Sequence, residues 1–169
     1  MPYGTWIIRE IESPKGYVLS EEEIAVTIGK VDEVVEIELV NYFIKGNIAL
    51  TKVDEDYPDN KLSGAVFEVY SDINGDGKLD KDDTLLGEMK ELDGGVYLMS
   101  ELRYGKYLVK ETKAPTGFVL DENVYAVSIE ENGKTYTVEN KADVGFINAA
   151  QKGSLKIVKT SSDGKVEGF

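Results

Sequence analysis

An internal repeat places the strongest constraint on the fold of this chain. Residues 3–28 align without a gap on residues 104–129, and 11 of the 26 aligned positions are identical. Residues 41–52 align in the same way on residues 148–159, with a shared Asn, a shared Lys-Gly pair and a shared final Lys. Because self-similarity of this kind indicates copies of one structural unit, the chain is predicted to contain the same fold more than once.

The spacing of the copies sets the predicted domain boundaries. The offset between aligned residues grows from 101 to 107 along the chain, so the later copy contains six additional residues. We predict that residues 1–45 form the C-terminal half of one repeat, residues 46–150 a complete repeat, and residues 151–169 the first strand of the next repeat. The sequence is therefore expected to be a section of a longer tandem array, in which neighbouring repeats of the same polypeptide contact one another.

The local pattern predicts strands throughout and no helix. Short runs rich in Val, Ile, Tyr, Phe and Thr are separated by Asp-Gly, Asn-Gly, Gly-Gly and Pro-containing turns. The strands predicted in the complete repeat are 46–53, 64–71, 84–90, 95–100, 104–113, 118–129, 134–139 and 143–150. Many short strands with frequent turns favour an all-β fold, an antiparallel β-sandwich.

Composition and charge exclude several classes of function. The 169 residues include 19 Lys and Arg against 32 Asp and Glu, a net charge of −13, and there is no Cys and no His. The chain therefore has no disulfide, no thiol nucleophile and no imidazole acid–base pair. Such a charge repels phosphate backbones and anionic lipids, and no apolar run approaches transmembrane length. We expect no nucleic-acid partner, no membrane insertion and no organic cofactor, and any inorganic ligand should be a hard, oxygen-liganded cation.

Three predicted strands each carry an apolar stripe that ends in one polar residue on the same face. Since side chains alternate across a strand, residues two apart share a face. The three stripes are Ile48-Leu50-Lys52, Tyr107-Val109-Glu111 and Val144-Phe146-Asn148. The partial copies repeat them as Trp6-Ile8-Glu10, Ile37-Leu39-Asn41 and Leu155-Ile157-Lys159. A single such residue would be read as a polar strand end at the rim or as an ordinary buried ion pair. The duplication of all three favours a functional site inside the sandwich.

The complete repeat resembles a known family of domains. The segments that carry the resemblance are GNIALTKVD at 46–54, LSGAVFEVY at 62–70 and GKYLVKETKAPTGF at 105–118. They resemble the collagen-adhesin B-type (Cna B-type) domains of surface adhesins and pilins in Gram-positive bacteria. The resemblance covers 46–150 and, in halves, both ends of the chain. The first partial copy departs from the pattern, because it has Ser13 before the proline where the later copy has Ala114.

The resemblance implies a prealbumin-like, Ig-like β-sandwich in which a first-strand Lys is bonded covalently to a last-strand Asn. Carried over by position, Lys52 is the nucleophile, Asn148 the electrophile and Glu111 the proton shuttle. Asn140 is a rival electrophile because it also lies late in the repeat. The alignment of Asn41 with Asn148 and the inward parity of Asn148 favour the latter. Glu10, Asn41 and Lys159 are the equivalents in the partial copies.

The function implied by the resemblance is structural. We expect a stalk or backbone module of a bacterial cell-surface adhesin or pilin, extracellular and attached to the cell wall through a longer parent protein. The bond would form once per domain, so the module would not be an enzyme with turnover. An alternative is an adhesive module that binds a host protein or glycan, with Tyr57, Tyr70 and Tyr97 as candidate contacts, although aromatic residues in strands more often belong to the core. A glycosidase using paired carboxylates is less favoured, because nothing in the sequence indicates a cleft.

A twelve-residue acidic segment predicts a calcium loop. The ligand positions of an EF-hand-like loop would be filled by Asp72, Asn74, Asp76, Lys78 through its carbonyl, Asp80 and Asp83. Gly77 stands where the loop needs its sharp turn. The flanking segments are predicted strands, so this would be a calcium loop in a β context. The opposing interpretation is a plain acidic turn, since Asp, Asn and Gly are common turn residues.

The half repeats allow one further hypothesis. Glu10 and Asn41 have no partner lysine in their own half, and Lys159 lacks its Glu and Asn. Chains joined head to tail would bring Lys159 of one copy to Glu10 and Asn41 of the next. The composite repeat would lack its middle strands, which argues against this arrangement.

Overall fold

The structure, a computed structural model, describes residues 2–158. Within these residues the chain forms eleven strands and no helix. The strands are β1 (Gly4–Arg9), β2 (Glu23–Ile28), β3 (Lys45–Asp54), β4 (Val66–Ser71), β5 (Thr84–Glu88), β6 (Lys90–Leu92), β7 (Val96–Arg103), β8 (Gly105–Lys113), β9 (Val124–Ile129), β10 (Thr135–Thr137) and β11 (Phe146–Asn148). Each strand predicted in the complete repeat overlaps one of them.

Two differences from the predicted strands have local causes. Strand β6 was not predicted because its sequence, Lys-Glu-Leu, has no apolar alternation, and it forms by pairing with β7. The strand predicted at 118–129 begins only at Val124. Before it, the Asp121 side chain accepts a hydrogen bond from the backbone amide of Asn123 at 2.9 Å, which closes a local turn instead of a strand.

Strands β3 to β11, in the predicted complete repeat, form two sheets. The first has the order β10-β3-β7-β6, with β11 also paired to β3, and the second has the order β5-β4-β8-β9. The predicted all-β sandwich is confirmed. Most pairings are antiparallel as predicted, but β10 and β11 both pair with β3 in parallel. A parallel pair requires a crossover connection, and the chain supplies one because it reaches β10 and β11 from β9 of the second sheet.

An apolar core lies between the two sheets. Its fully buried members include Ile48, Leu50, Phe67, Val69, Tyr97, Val109, Ile129 and Phe146. The ring of Phe67 meets the ring of Phe146 edge to face, with centroids 4.9 Å apart and planes at 79°. Burial of each large side chain contributes roughly 1.5–3 kcal/mol, so this core fixes which face of each strand points inward.

The N-terminal half contains a hairpin that matches part of the complete repeat. Strand β1 pairs antiparallel with β2, and Gly4 lies opposite Ile28. Strand β8 pairs with β9 in the same way, and Gly105 lies opposite Ile129. Gly4 and Gly105 differ by 101, as do Ile28 and Ile129, and 101 is the offset of the sequence repeat. The two hairpins therefore share one register as well as one sequence pattern.

In the described residues, the partial-copy stripe Ile37-Leu39-Asn41 and the described part of the stripe that begins at Leu155 do not form strands. Residues 31–42 contain no strand, so the stripe that ends at Asn41 is not the last strand of a sheet here. Residues 151–158 contain none either, and Leu155 and Ile157 are exposed. Lys159 lies outside the described residues. The cause is the lack of a partner: β11 exists because it pairs with β3, and the described N-terminal half has no counterpart of β3.

Candidate functional site

Three polar side chains from different strands are buried together inside the complete repeat. Lys52 on β3 and Glu111 on β8 are 0% exposed, and Asn148 on β11 is 3% exposed. The parallel pairing of β11 with β3 places Phe146 opposite Lys52, and Asn148 lies two residues further on the same face. All three sequence-predicted residues are therefore brought to one end of the apolar core by the alternation of their strands.

The hydrogen bonds of the cluster connect the amide to the acid. Asn148 Nδ2 donates to both Oε1 and Oε2 of Glu111 at 3.0 Å. The backbone amide of Asp121 donates to Glu111 Oε2 at 2.8 Å, and Lys52 Nζ donates to the carbonyl of Phe146 at 3.0 Å. Asn148 Oδ1 is buried with no hydrogen-bond partner among the described residues. A buried amide oxygen without a donor is uncommon in proteins and needs an explanation.

Burial changes the protonation of both ionisable members of the cluster. Desolvation lowers the pKa of Lys52 to about 8, although the charges of Glu111, Asp121 and Asp54 partly oppose this. Desolvation also raises the pKa of Glu111, against the hydrogen bonds from Asp121 and Asn148 and the charge of Lys52. In both cases burial penalises the charged form, so the site favours a neutral amine beside a neutral acid.

Asp121 is a member of the site that the sequence reasoning missed. Desolvation raises its pKa, but hydrogen bonds from Tyr125, Asn140 and Asn123 outweigh this and lower the pKa overall. Asp121 therefore remains ionised beside Glu111, and its charge contributes to the raised pKa of Glu111. Asp121 could have been predicted as a site residue because it is an acidic residue inside the predicted strand 118–129. The repeat alignment hid this signal, because Asp121 aligns with Ser20.

Asn140, the rival electrophile, occupies a structural position. Its Nδ2 donates to Asp121 Oδ2 at 2.8 Å and to the Ile147 carbonyl at 2.9 Å. Its Oδ1 accepts the Ile147 backbone amide at 2.6 Å. Every polar atom of this side chain is thus engaged in tying the start of β11 to the loop at Asp121, and no contact joins it to Lys52.

The first partial copy contains the same acid–amide pair. Asn41 Nδ2 donates to Glu10 Oε1 and Oε2 at 2.7 and 2.9 Å. The backbone amide of Ser20 donates to Glu10 Oε2 at 2.8 Å, as Asp121 does for Glu111. Glu10 and Asn41 are half-buried, since no strand equivalent to β3 covers them in the described part of the chain.

The predicted calcium ligands lie in one loop between β4 and β5. Asp72 is buried, and its two oxygens accept the backbone amides of Gly75 and Gly77 at 2.7 and 3.1 Å. Asp83 accepts the backbone amides of Ile73 and Asp80 at 3.1 and 2.9 Å.

The remaining predicted ligands of the loop also turn to local partners. Asn74 Nδ2 donates to Asp80 Oδ2 at 3.2 Å, and Asp76 Oδ1 accepts the backbone amide of Lys78 at 2.8 Å. No group of three or more acidic residues within 2–158 is arranged to hold a metal ion. The donor types fit calcium, but the oxygens are engaged with the loop's own amides instead of converging on one point.

The tyrosines proposed as adhesive contacts lie in different environments. Tyr57 is 66% exposed, whereas Tyr97 is 1% exposed and its hydroxyl accepts the backbone amide of Ala65 at 3.1 Å. Tyr70 is half-buried and its hydroxyl bonds to Glu68. Tyr97 was therefore wrongly assigned as a candidate surface contact. Strand parity places it in the core, because it faces Phe67.

The fold and the buried cluster together define a class of protein: prealbumin-like β-sandwich modules with a lysine, an acid and an amide enclosed between first and last strands. The chain belongs to the SpaA prealbumin-like fold domain family, whose model matches residues 1–42 and 46–143. The Cna B-type resemblance is thereby confirmed at the level of the family. No curated protein matches the chain.

Three solved structures similar to the chain are proteins of Bacillus and Streptococcus, and two of them are pilins. The TIE protein of Bacillus anthracis is 31% identical over 89% of this chain and 26% of its own, with a TM-score of 0.72. BcpA, the major pilin subunit of Bacillus cereus, is 26% identical over 79% of this chain and 35% of its own, with a TM-score of 0.49. The T6 backbone pilin of Streptococcus pyogenes serotype M6 is 30% identical over 50% of this chain and 16% of its own, with a TM-score of 0.39. The chain thus spans about a quarter of the length of the TIE protein.

Residues 2–158 include no helix able to cross a membrane.

Proposed function

We propose that this chain is a structural module of a bacterial cell-surface adhesin or pilin, held together by an isopeptide bond between Lys52 and Asn148. The observation that carries the proposal is the burial of Lys52, Glu111 and Asn148 in one apolar site, with Asn148 Oδ1 left without a partner. Membership of a family with pilin relatives supports an extracellular location and neighbouring repeats as the main partners. Nothing comparable supports a host ligand.

The protonation of the site prepares both reactants. An amine attacks only when neutral, and burial lowers the pKa of Lys52 to about 8, so about a tenth of it is neutral at pH 7 instead of less than about a thousandth. Burial raises the pKa of Glu111, which favours its protonated form. Half a turn of the Asn148 amide would place Oδ1 against Glu111, where a protonated carboxyl can donate to it. That hydrogen bond would satisfy the unpartnered oxygen and polarise the amide carbonyl.

The covalent step balances without any co-reactant. Lys52 Nζ attacks Asn148 Cγ and forms a tetrahedral intermediate whose oxyanion is stabilised by the Glu111 hydrogen bond. The protonated Glu111 gives its proton to the departing Nδ2 and takes one from the attacking nitrogen, so the acid is regenerated. The Cγ–Nδ2 bond breaks, one ammonia leaves, and a secondary amide remains. Packing supplies the effective concentration, because the reacting groups are already held in one buried site.

The consequence of the bond is a closed loop between β3 and β11. Residues 52–148 form a loop of 97 residues. By analogy with a disulfide of this span, the bond would stabilise the fold by roughly 4–5 kcal/mol in the chain-entropy model. Tension applied at the two ends of the repeat would then pass through a covalent bond, which suits a stalk that has no cysteine.

Intact mass spectrometry tests the proposal. The chain is expected to be lighter than its sequence by one ammonia, and the Lys52→Ala and Glu111→Ala variants should each have their full sequence mass. Lys61→Ala replaces an exposed lysine that lies beside the C-terminal end of β3. It is the matched control and should still be lighter than its sequence by one ammonia. A full sequence mass for the parent chain would contradict the proposal.

Calcium binding by the loop at 72–83 is the second part of the proposal, and it rests on the order of oxygen donors along the loop. Binding would turn the oxygens of Asp72, Asp76 and Asp83 from backbone amides towards the ion. Calorimetric titration with calcium should show saturable heat that is lost in Asp72→Ala and in Asp76→Ala. Asp82→Ala, which lies between ligand positions, should retain the heat. Heat no larger than dilution in the parent chain would contradict calcium binding.

A further inference from the structure

One acidic residue connects the acid of the buried cluster to two further side chains. The backbone amide of Asp121 donates to Glu111 Oε2 at 2.8 Å, so the loop before β9 holds the acid in place. The carboxylate of Asp121 accepts the Asn140 amide at 2.8 Å and the Tyr125 hydroxyl at 2.7 Å, both through Oδ2. Asp121 thus bonds to the acid through its main chain and to both other residues through its side chain.

Those two side chains contact β11, the strand that carries Asn148. Asn140 donates to the Ile147 carbonyl at 2.9 Å and accepts the Ile147 backbone amide at 2.6 Å. The ring of Tyr125 packs edge to face on the ring of Phe146, with centroids 5.2 Å apart. The two residues that precede Asn148 are therefore both held by partners of the same carboxylate.

Asn140 completes the backbone hydrogen bonding of β11, which is a short strand. In the described part of the chain, β11 has three residues and one partner strand, β3. An open cavity of about 600 Å³ lies beside it, lined in part by Asn140, Ile147 and Asn148. Both polar backbone groups of Ile147 bond to Asn140, so one side chain supplies the pairing that a second neighbouring strand would supply. Without it, few hydrogen bonds would hold Asn148 in position.

We propose that Asp121 and Asn140 are positioning residues for the cross-link and hold the acid and the amide together as one unit. The hydrogen-bond path runs from Glu111 through Asp121 and Asn140 to Ile147, which adjoins Asn148. Neither positioning residue exchanges a proton or forms a covalent bond in the reaction. The inference rests on the proposed function, because it concerns how fast that bond forms.

The charge of Asp121 acts on both ionisable reactants. Glu111 is faced by Lys52 of β3 and by Asp121, whereas Lys52 is faced by Glu111, Asp121 and Asp54. Tyr125 of β9 stays neutral, because desolvation and its hydrogen bond to Asp121 raise its pKa to about 12. A negative charge makes a neighbouring acid and a neighbouring amine each keep its proton to higher pH. Asp121 therefore moves the pH range of bond formation upwards.

The rate of ammonia loss tests the positioning by Asn140. The chain is purified unfolded from insoluble material and refolded by dilution, and intact mass follows the fraction that is lighter by one ammonia. Asn140→Ala should slow bond formation about a hundredfold, the loss expected when a reacting group is displaced by about 1 Å. Asn47→Ala is the matched control, because the Asn47 side chain bonds to Thr135 and to the backbone of Glu101 at the opposite end of β3. It should react at the parent rate.

The pH profile of the rate distinguishes the role of Asp121 from a loss of stability. In the parent chain the rate should rise as Lys52 loses its proton and fall as Glu111 loses its proton. Asp121→Asn keeps the shape of the side chain and removes its charge, so both limbs should move to lower pH and the maximal rate should fall. Asp143→Asn, at an exposed acid, should leave both limbs in place. Loss of stability alone would lower the rate without moving either limb.

The outcomes distinguish this inference from the proposed function. A parent chain that never loses ammonia contradicts the proposed function and the inference with it. A parent chain that loses ammonia, while Asn140→Ala loses it equally fast, overturns the inference alone. Unmoved limbs in Asp121→Asn also overturn it, and this result holds even where Asn140→Ala fails to fold.

Discussion

Asn148 donates its side-chain amide to both carboxylate oxygens of Glu111 at 3.0 Å, while its own carbonyl oxygen has no partner. This pairing joins an acid whose pKa is raised by burial to the amide that it would activate. Lys52, whose pKa burial lowers to about 8, lies in the same site and bonds to the carbonyl two residues before Asn148. The three groups have the protonation preferences that amide exchange requires.

Replacement of Glu111 should prevent bond formation while preserving the shape of the site. Glu111→Gln keeps a side chain of the same size but cannot relay a proton, so the Lys52–Asn148 bond should not form. The free energy of unfolding should fall by about 4–5 kcal/mol through loss of the closed loop. Chemical denaturation measures this loss. Glu130→Gln, at an exposed residue, should change the stability by less than about 0.5 kcal/mol. Equal stability of Glu111→Gln and the parent chain would contradict the prediction.

The buried lysine should make the uncrosslinked fold more stable as the pH rises. In Asn148→Ala no bond can form, and the pKa of Lys52 is lowered from 10.5 to about 8 in the folded chain. Between these values the unfolded chain binds more protons, so the unfolding free energy should rise from pH 8 to 10.5, by about 3 kcal/mol for this group.

A matched double variant isolates that contribution. Lys52→Met combined with Asn148→Ala removes the titrating amine and keeps an apolar stem of similar length. Subtracting its pH profile removes the effect of tyrosines that ionise in the same range. A difference profile that is flat between pH 8 and 10.5 would show that Lys52 is not desolvated.

Gly95 should tolerate no side chain, because it lies against the backbone of Leu62 and is hydrogen-bonded to the backbone of Lys52. Its φ is +67°, and an added Cβ would lie 2.8 Å from the Leu62 carbonyl oxygen. The Gly95 carbonyl also accepts the backbone amide of Lys52 at 2.8 Å. Gly95→Ala should therefore lower the unfolding free energy by several kcal/mol and slow bond formation, as measured by denaturation and by the fraction of chain lacking one ammonia.

Gly133 provides the control for the backbone effect alone. Its φ is +77°, and an added Cβ would meet nothing within 4 Å. Gly133→Ala should cost only about 1 kcal/mol from its left-handed conformation. Similar losses for Gly95→Ala and Gly133→Ala would show that the contact with Leu62 is unimportant.

Mechanical extension should reveal the closed loop directly. With handles at the ends of the 46–150 repeat, a bond between Lys52 and Asn148 keeps the 97 enclosed residues from extending. The Lys52→Ala variant should release them in one unfolding event of about 320 Å, at roughly 3.3 Å per residue. A release of this length in the parent chain would contradict a bond at this position.

The repeat and the strand alternation predicted the sandwich and the inward faces of Lys52, Glu111 and Asn148, because a period of two fixes the face once burial fixes the register. They did not predict the ionised Asp121, whose role depends on side chains from separate loops. Nor did they predict that Asn41 would lie outside any strand. An alternating pattern shows that a segment is able to form a strand. Whether it forms one depends on a neighbouring strand with which it can pair.

Peptide mapping by tandem mass spectrometry tests the central proposal most directly. After trypsin digestion, we expect a branched peptide in which residues 46–61 are joined through Lys52 to Asn148 in residues 142–152, with the loss of one ammonia. Lys52 should then be resistant to cleavage. Recovery of the linear peptides 46–52 and 142–152, both unmodified, would contradict it.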